Sequence, residues 1–110
     1  MEELFHLNSR IDKQKKLVIF GTGMHAKETY CQLIHYGIKP DYFADKDSNF
    51  KGGVKLFGIE ILQEDELEHM DCQIIIASTA WKSIKERLEK IGKTDIFVDP
   101  ARYCQSYIDL

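Results

Sequence analysis

The stretch LVIFGTGMHAKETY, residues 17–30, decides the fold. Leu17 to Phe20 form an unbroken apolar run, preceded by Lys15 and Lys16 and closed by Gly21. A short continuous apolar run ended by a turn residue marks a strand buried on both faces, as in a parallel sheet covered by helices. Gly-Thr-Gly interrupts the run. Ala26, Tyr30, Leu33 and Ile34 then recur at helical spacing, Gly37 sits where a left-handed residue stops a helix, and Pro40 follows.

Outward from this strand-turn-helix unit, the alternation continues. DYFAD (41–45) predicts a second strand and Asp45 to Asn49 a polar loop. GGVKLFGIEIL predicts a short extended excursion and a third strand at 59–62, followed by a brief acidic helix at 64–70 with Leu67 and Met70 turned inward. CQIIIAS (72–78) is the second fully apolar strand. Ser78 or Thr79 is expected to cap the next helix, whose stripe is Trp81, Ile84, Leu88 and Ile91 and which Gly92 ends. The charges on its outer face form a solvated surface, with Lys and Glu at i, i+4 spacing. DIFVD (95–99) predicts a fifth strand. At the ends, residues 2–13 read as a short amphipathic helix through Leu4, Leu7, Asn8 and Ile11, and Tyr103 to Ile108 as a closing helical turn.

Strands alternating with helices, joined by right-handed crossovers, give an α/β fold: a small doubly wound, mainly parallel five-stranded sheet, Rossmann-like, of order 3-2-1-4-5. Its ligand crevice lies at the carboxyl ends of the strands, where the order reverses. That rule gathers Gly21 to Ala26, Asp45, Ser78 and Thr79 around one opening.

Gly21-Thr22-Gly23-Met24-His25-Ala26 fits G-x-G-x-x-G/A, directly after a strand and opening a helix. In that role Gly21 permits the tight turn, Gly23 lets a pyrophosphate approach the backbone, and Ala26 keeps the helix close to the sheet. The helix-start amides face the anion, and Lys27 can reach it as a point charge. The same glycines also serve a sharp turn that holds nothing. Asp45 lies 22 residues beyond Gly23, where a carboxylate accepts from ribose hydroxyls, and Asp47 is a substitute; either is also an ordinary turn residue. A carboxylate there repels a 2′-phosphate. His25 can donate to a phosphate or sugar, yet a histidine without a partner carboxylate reads as structural.

Other chemistries are excluded by pattern. Tyr42 and Lys46 have Tyr-x-x-x-Lys spacing, but at a strand end four residues span about 13 Å, too far to meet. There is no Gly-Lys-Ser/Thr of a P-loop and no nucleophile elbow. His6, His35 and His69 have no metal-ligand spacing, and no metal is expected. Cys31, Cys72 and Cys104 include no CxxC pair and read as packing residues of a reducing compartment. The net charge of −3 supplies no field for nucleic acid. No apolar run spans a bilayer, and the acidic start MEELFHLNSRID is unlike a secretory leader, so a cytoplasmic location is expected. A length of 110 residues fits one domain, 1–110.

VIFGTGMHAKE, YFADKD, FGIEIL, IIIAST and FVDP, in that order, resemble the small Rossmann-like domain at the N-terminus of bacterial sugar O-acyltransferases acting on UDP-amino sugars. The unit is similar as well to the N-terminal domain of polysaccharide-biosynthesis epimerase/dehydratase proteins. The resemblance covers residues 16–100. It implies a UDP-sugar nucleotide held by positions matching Gly21, Gly23, His25 and Asp45, with catalysis in a following left-handed β-helix of hexapeptide repeats, which this sequence lacks. Met24 stands where the family commonly has a small residue. The expected function is a nucleotide-binding module, for a UDP-sugar, in surface-polysaccharide synthesis, non-catalytic alone and working with a catalytic partner. The alternatives are an NAD-binding domain of an oxidoreductase or epimerase, and a homodimerising interaction module with an empty crevice.

Overall fold

A computed structural model describes residues 11–46 and 55–99. Strand β1 (Lys16–Phe20) leads through helix α1 (Met24–His35) to β2 (Tyr42–Asp45). A hairpin of β3 (Lys55–Leu56) and β4 (Ile59–Gln63) runs into a 3-10 helix (Glu64–His69), then β5 (Cys72–Ile76), α2 (Trp81–Lys90) and β6 (Ile96–Val98). The sheet has six strands in the order β3-β4-β2-β1-β5-β6. Every pairing is parallel except the β3–β4 hairpin. The expected 3-2-1-4-5 order is therefore present, with one strand more at the edge: the excursion before residue 59 folds back and pairs.

Period-two alternation sorts the strands onto two cores. Leu17 and Ile19, Phe43, Ile59 and Ile61, and Ile75 and Ala77 pack with Ala26 and Leu33 of α1. Val18 and Phe20, Ala44, Leu62, and Cys72, Ile74 and Ile76 pack on the other face with Ile84 and Leu88 of α2 and Leu67 of the 3-10 helix. Both faces of LVIF and CQIII are thus covered, which explains why neither run alternates with polar residues. Trp81 and Ile91 lie half-buried against the second core, as the stripe predicts.

Three local expectations are corrected. Ile34 does not join the buried face of α1; it is exposed, and Thr29 and His25 are buried instead, because the face turned to the sheet is rotated away from Ile34 toward His25 and Thr29. The acidic helix closes as a 3-10 turn with a reciprocal cap between Gln63 and Glu66. Cys31 is exposed, not packed, whereas Cys72 is buried. Of the terminal helix expected at 2–13, the described end, residues 11–15, is a turn closed by Lys15 N to Asp12 O at 3.1 Å. The closing turn at 103–108, Cys104 and residues 52–54 of the excursion lie outside the described residues.

The amino end of the sheet is tied by polar contacts. Gln73, buried on β5, accepts from Asp12 N at 3.1 Å and donates to Asp12 O at 2.6 Å and Lys15 O at 3.2 Å. Asp41 accepts from Leu17 N at 2.9 Å. Lys15 bridges Asp71 at 3.2 Å and Asp95, the residues entering β5 and β6. Arg87 of α2 holds Glu64 of the 3-10 helix at 2.9 Å.

Leu88→Ala should lower the free energy of unfolding by about 2–5 kcal/mol, read by urea denaturation, while Ile34→Ala should stay within about 0.5 kcal/mol. Burial raises the Cys72 thiol above its ordinary value of 9.0. The folded chain therefore keeps that proton to higher pH than the unfolded chain. Its share of stability is intact below the ordinary thiol range and declines as pH rises above it. At mildly alkaline pH, iodoacetamide should modify Cys31 in the native chain and reach Cys72 only after unfolding, as mass mapping would show.

Candidate functional site at the carboxyl edge of the sheet

The carboxyl ends of four strands meet beside the start of α1. Gly21 N donates to Ala44 O in β2 at 2.8 Å, Ala77 N donates to Phe20 O at 2.9 Å, and Asp99 N donates to Ile76 O at 2.9 Å. Gly21 is the closest point of this convergence. Its φ is +133°, and a Cβ there would lie 2.6 Å from Ala77 O. No other residue fits, so this glycine answers to the sheet itself.

Gly23 answers to something else. It stands at the N-cap of α1 with φ −87°, a conformation open to any residue. Among the described residues, a Cβ on it would meet nothing within 4 Å. Lys27 N to Gly23 O at 3.1 Å is the first closed helical bond, so the amides of Met24, His25 and Ala26 lie before the ladder begins. No side chain caps this end and its first turn carries no acid. Met24 is 69% exposed, so it is not packed over this end of the helix. Open space in front of uncapped amides at a positive helix end is complementary to an anion. Lys27 is exposed in the same turn.

Asp45 ends β2 at this corner, and Thr22 Oγ1 donates to its Oδ2 at 2.6 Å. The glycine loop thereby fixes the orientation of the carboxylate that the sequence assigned to ribose. Asp47 lies outside the described residues. Ser78 and Thr79 follow β5 at the same edge, but neither caps α2. The N-cap is Ala80, and the Ser78 hydroxyl instead accepts from Ala80 N at 3.1 Å, a local turn that the tight exit from β5 favours. Ser78 is half-buried and Thr79 exposed.

His25 does not point at the open corner. It is buried, and its Nε2 lies 3.7 Å from Asp99 Oδ2. Thr29 Oγ1 donates to the same Oδ2 and lies 3.0 Å from the His25 carbonyl oxygen. Asp99 is only 2% exposed. Sequence reasoning missed Thr29 and Asp99. The available signals were the four-residue spacing from His25 to Thr29 and an acid one residue past the last strand, on the Phe97 side of the alternation. The structure thus brings Gly21, Thr22, Gly23, the amides of Met24 to Ala26, and Asp45 to one edge, with His25 facing beneath it.

A cleft of about 230 Å³ occupies the opposite end of the sheet, beside Asp12, Lys15, Asp41 and Gln73. Its polar groups hold the backbone, as described above. Among the described residues, no group of three His, Cys, Asp or Glu side chains gathers to hold a metal, and no helix is long and apolar enough to cross a membrane.

Residues 13–97 match the sequence profile of the C2185-like N-terminal family, and the chain belongs to that family. Among solved structures it is similar to the UDP-D-quinovosamine 4-dehydrogenase of Vibrio fischeri, at 23% identity over 87% of this chain and 86% of that one, with a TM-score of 0.63. It is similar also to RSP, solved with β-NAD+ and operator DNA, at 15% identity over 96% of this chain and 59% of that one, with a TM-score of 0.57. At these identities the likeness carries the fold, which is Rossmann-like. No curated protein matches the chain.

Gly21→Ala should destabilise the fold by about 1–3 kcal/mol or more, from backbone strain and the Ala77 contact together. Gly23→Ala should leave the unfolding midpoint nearly unchanged. Paired urea titrations of the two variants check both.

Proposed function

We propose that the chain is a nucleotide-binding module of surface-polysaccharide synthesis, holding a UDP-sugar at the Gly21–Ala26 corner and supplying no catalysis on its own. The observation that carries this reading is the vacancy in front of Gly23, where a missing Cβ, uncapped amides and an outward Met24 leave room for a diphosphate. In this reading the amides of Met24 to Ala26 bind the diphosphate, Lys27 screens its charge, and Asp45, oriented by Thr22, accepts from a ribose hydroxyl. Ser78 and Thr79 border the opening, and Asp47 lies two residues beyond Asp45. A catalytic domain or partner protein supplies the chemistry. The resemblance to sugar O-acyltransferase N-terminal domains supports a UDP-sugar, as does the likeness to a structure described as a UDP-D-quinovosamine dehydrogenase. One domain, a cytoplasmic location and no nucleic-acid partner belong to the same reading.

A second reading, an NAD-binding domain of an oxidoreductase or epimerase, is favoured by the likeness to a protein solved with β-NAD+ and uses Asp45 in the same way. The two diverge in ligand, not in site. Thermal unfolding with UDP-N-acetylglucosamine, UDP or NAD separates them, because a ligand at 100 times its Kd adds about 2.7 kcal/mol. A shift with the uridine nucleotides and none with NAD is expected, abolished in Gly23→Ala. A shift with NAD alone selects the second reading. No shift with any, together with a concentration-dependent dimer, selects an interaction module.

A further inference from the structure

The side chains of the buried polar cluster under the start of α1 have no part in the contacts assigned above. Asp99, Thr29 and His25 are all at most 6% exposed, yet they lie at the mouth of the sheet, where apolar residues fill the equivalent positions deeper in. Burying a carboxylate is costly, and an apolar residue of similar volume often serves stability as well or better. Its placement therefore calls for a positional explanation. Asp99 is anchored by its own amide to Ile76 O, at the end of β5. Its Oδ2 takes the Thr29 hydroxyl and faces His25 Nε2 at 3.7 Å. Thr29 reaches back to the His25 carbonyl at 3.0 Å. His25 is also one of the three residues whose amides precede the first closed helical bond.

We infer that Asp99 is a positioning residue for the glycine corner, acting through Thr29 and His25 to hold the first turn of α1 in register with the carboxyl ends of β5 and β6. Apolar packing fixes how deep α1 sits, since Ala26 and Leu33 are fully buried. The hydrophobic effect that drives this burial is itself non-directional, so a directional contact at the mouth adds a constraint on the rotation and slide of the first turn. A hydrogen-bonded carboxylate is directional, and hydrogen bonds from misaligned donors weaken steeply with angle. The consequence for affinity rests on the nucleotide reading of the corner; the consequence for the helix turn does not.

The test uses the whole chain with Thr29→Val, Thr29→Ser, Asp99→Leu and the Thr29→Val/Asp99→Leu double variant. Two readouts are taken: amide hydrogen exchange at Lys27, whose bond to Gly23 O closes the first turn, with Ile75 in β5 as reference, and calorimetric affinity for UDP-N-acetylglucosamine and NAD. Thr29→Val and Asp99→Leu should each speed exchange at Lys27 by about tenfold while Ile75 stays protected. The double variant should be no worse than either single one, as expected of groups acting through one contact. Thr29→Ser, which keeps the hydroxyl, should restore wild-type protection. Affinity for whichever nucleotide binds should fall about tenfold or more in the same variants and recover in Thr29→Ser. Unchanged protection at Lys27 in Thr29→Val, or loss at Lys27 and Ile75 alike with no recovery in Thr29→Ser, overturns the inference. If the wild-type chain binds neither nucleotide, the functional reading fails, while the exchange data still decide the role of Asp99.

Discussion

The closeness with which Gly21 passes Ala77 governs the carboxyl edge of this molecule. Strand β1 is central, paired in parallel with β2 on one side and β5 on the other, so its exit is gripped from both sides by main-chain hydrogen bonds. The chain must turn out of the sheet at once, with φ of +133° and a carbonyl 2.6 Å from where a Cβ would stand. Only glycine meets both demands. The turn then delivers the N-terminus of α1 three residues later. Asp45, at the end of β2, is tied to the same turn by the Thr22 hydroxyl.

The two faces of the sheet share a pattern but not a chemistry. On the α2 side the core is apolar up to the edge, from Cys72 through Ile74 and Ile76. On the α1 side it changes character near the mouth, where Thr29, His25 and Asp99 replace hydrocarbon with directional contacts. The difference follows from what each helix presents. Neither helix start has a side-chain cap, but the first turn of α1 carries the buried His25 and, one turn on, Thr29, whereas α2 buries only Ile84 and Leu88. At the far end of the sheet, Gln73 and Asp41 are committed to backbone groups, so the cleft there is a seam where the chain enters and turns between elements.

The edge hairpin shows where local rules give way. Its turn is Phe57-Gly58, with φ of +54° and +76°, and a bulky residue in that region is uncommon. Nothing in the local sequence foretells Phe57 there. The compensation is tertiary: its ring stacks on Tyr30 at 4.5 Å, 8° from parallel, beside Phe43. Two-residue turns usually advertise themselves as Asn-Gly or Asp-Gly, and without that signal the excursion before residue 59 did not read as a strand of its own. Ile34 failed in the opposite sense. Its spacing matched the apolar stripe, but the helix is rotated so that His25 and Thr29 take the buried side in its place.

What the sequence determined alone was everything that depends on nearest neighbours and on period: LVIF and CQIII as doubly buried strands, Gly37 and Gly92 as helix stops, the glycine corner after β1, and the strand order these imply. Such features need only the chain's own repeat and the chirality of its crossovers, so they are local information. Tertiary structure decided which of the corner's residues look outward. Gly23 and Met24 leave space, His25 turns under, and its carboxylate neighbour arrives from Asp99, 70 residues beyond Thr29. No window along the chain contains both halves of that contact, and only the closing of β6 beside β5 brings them together.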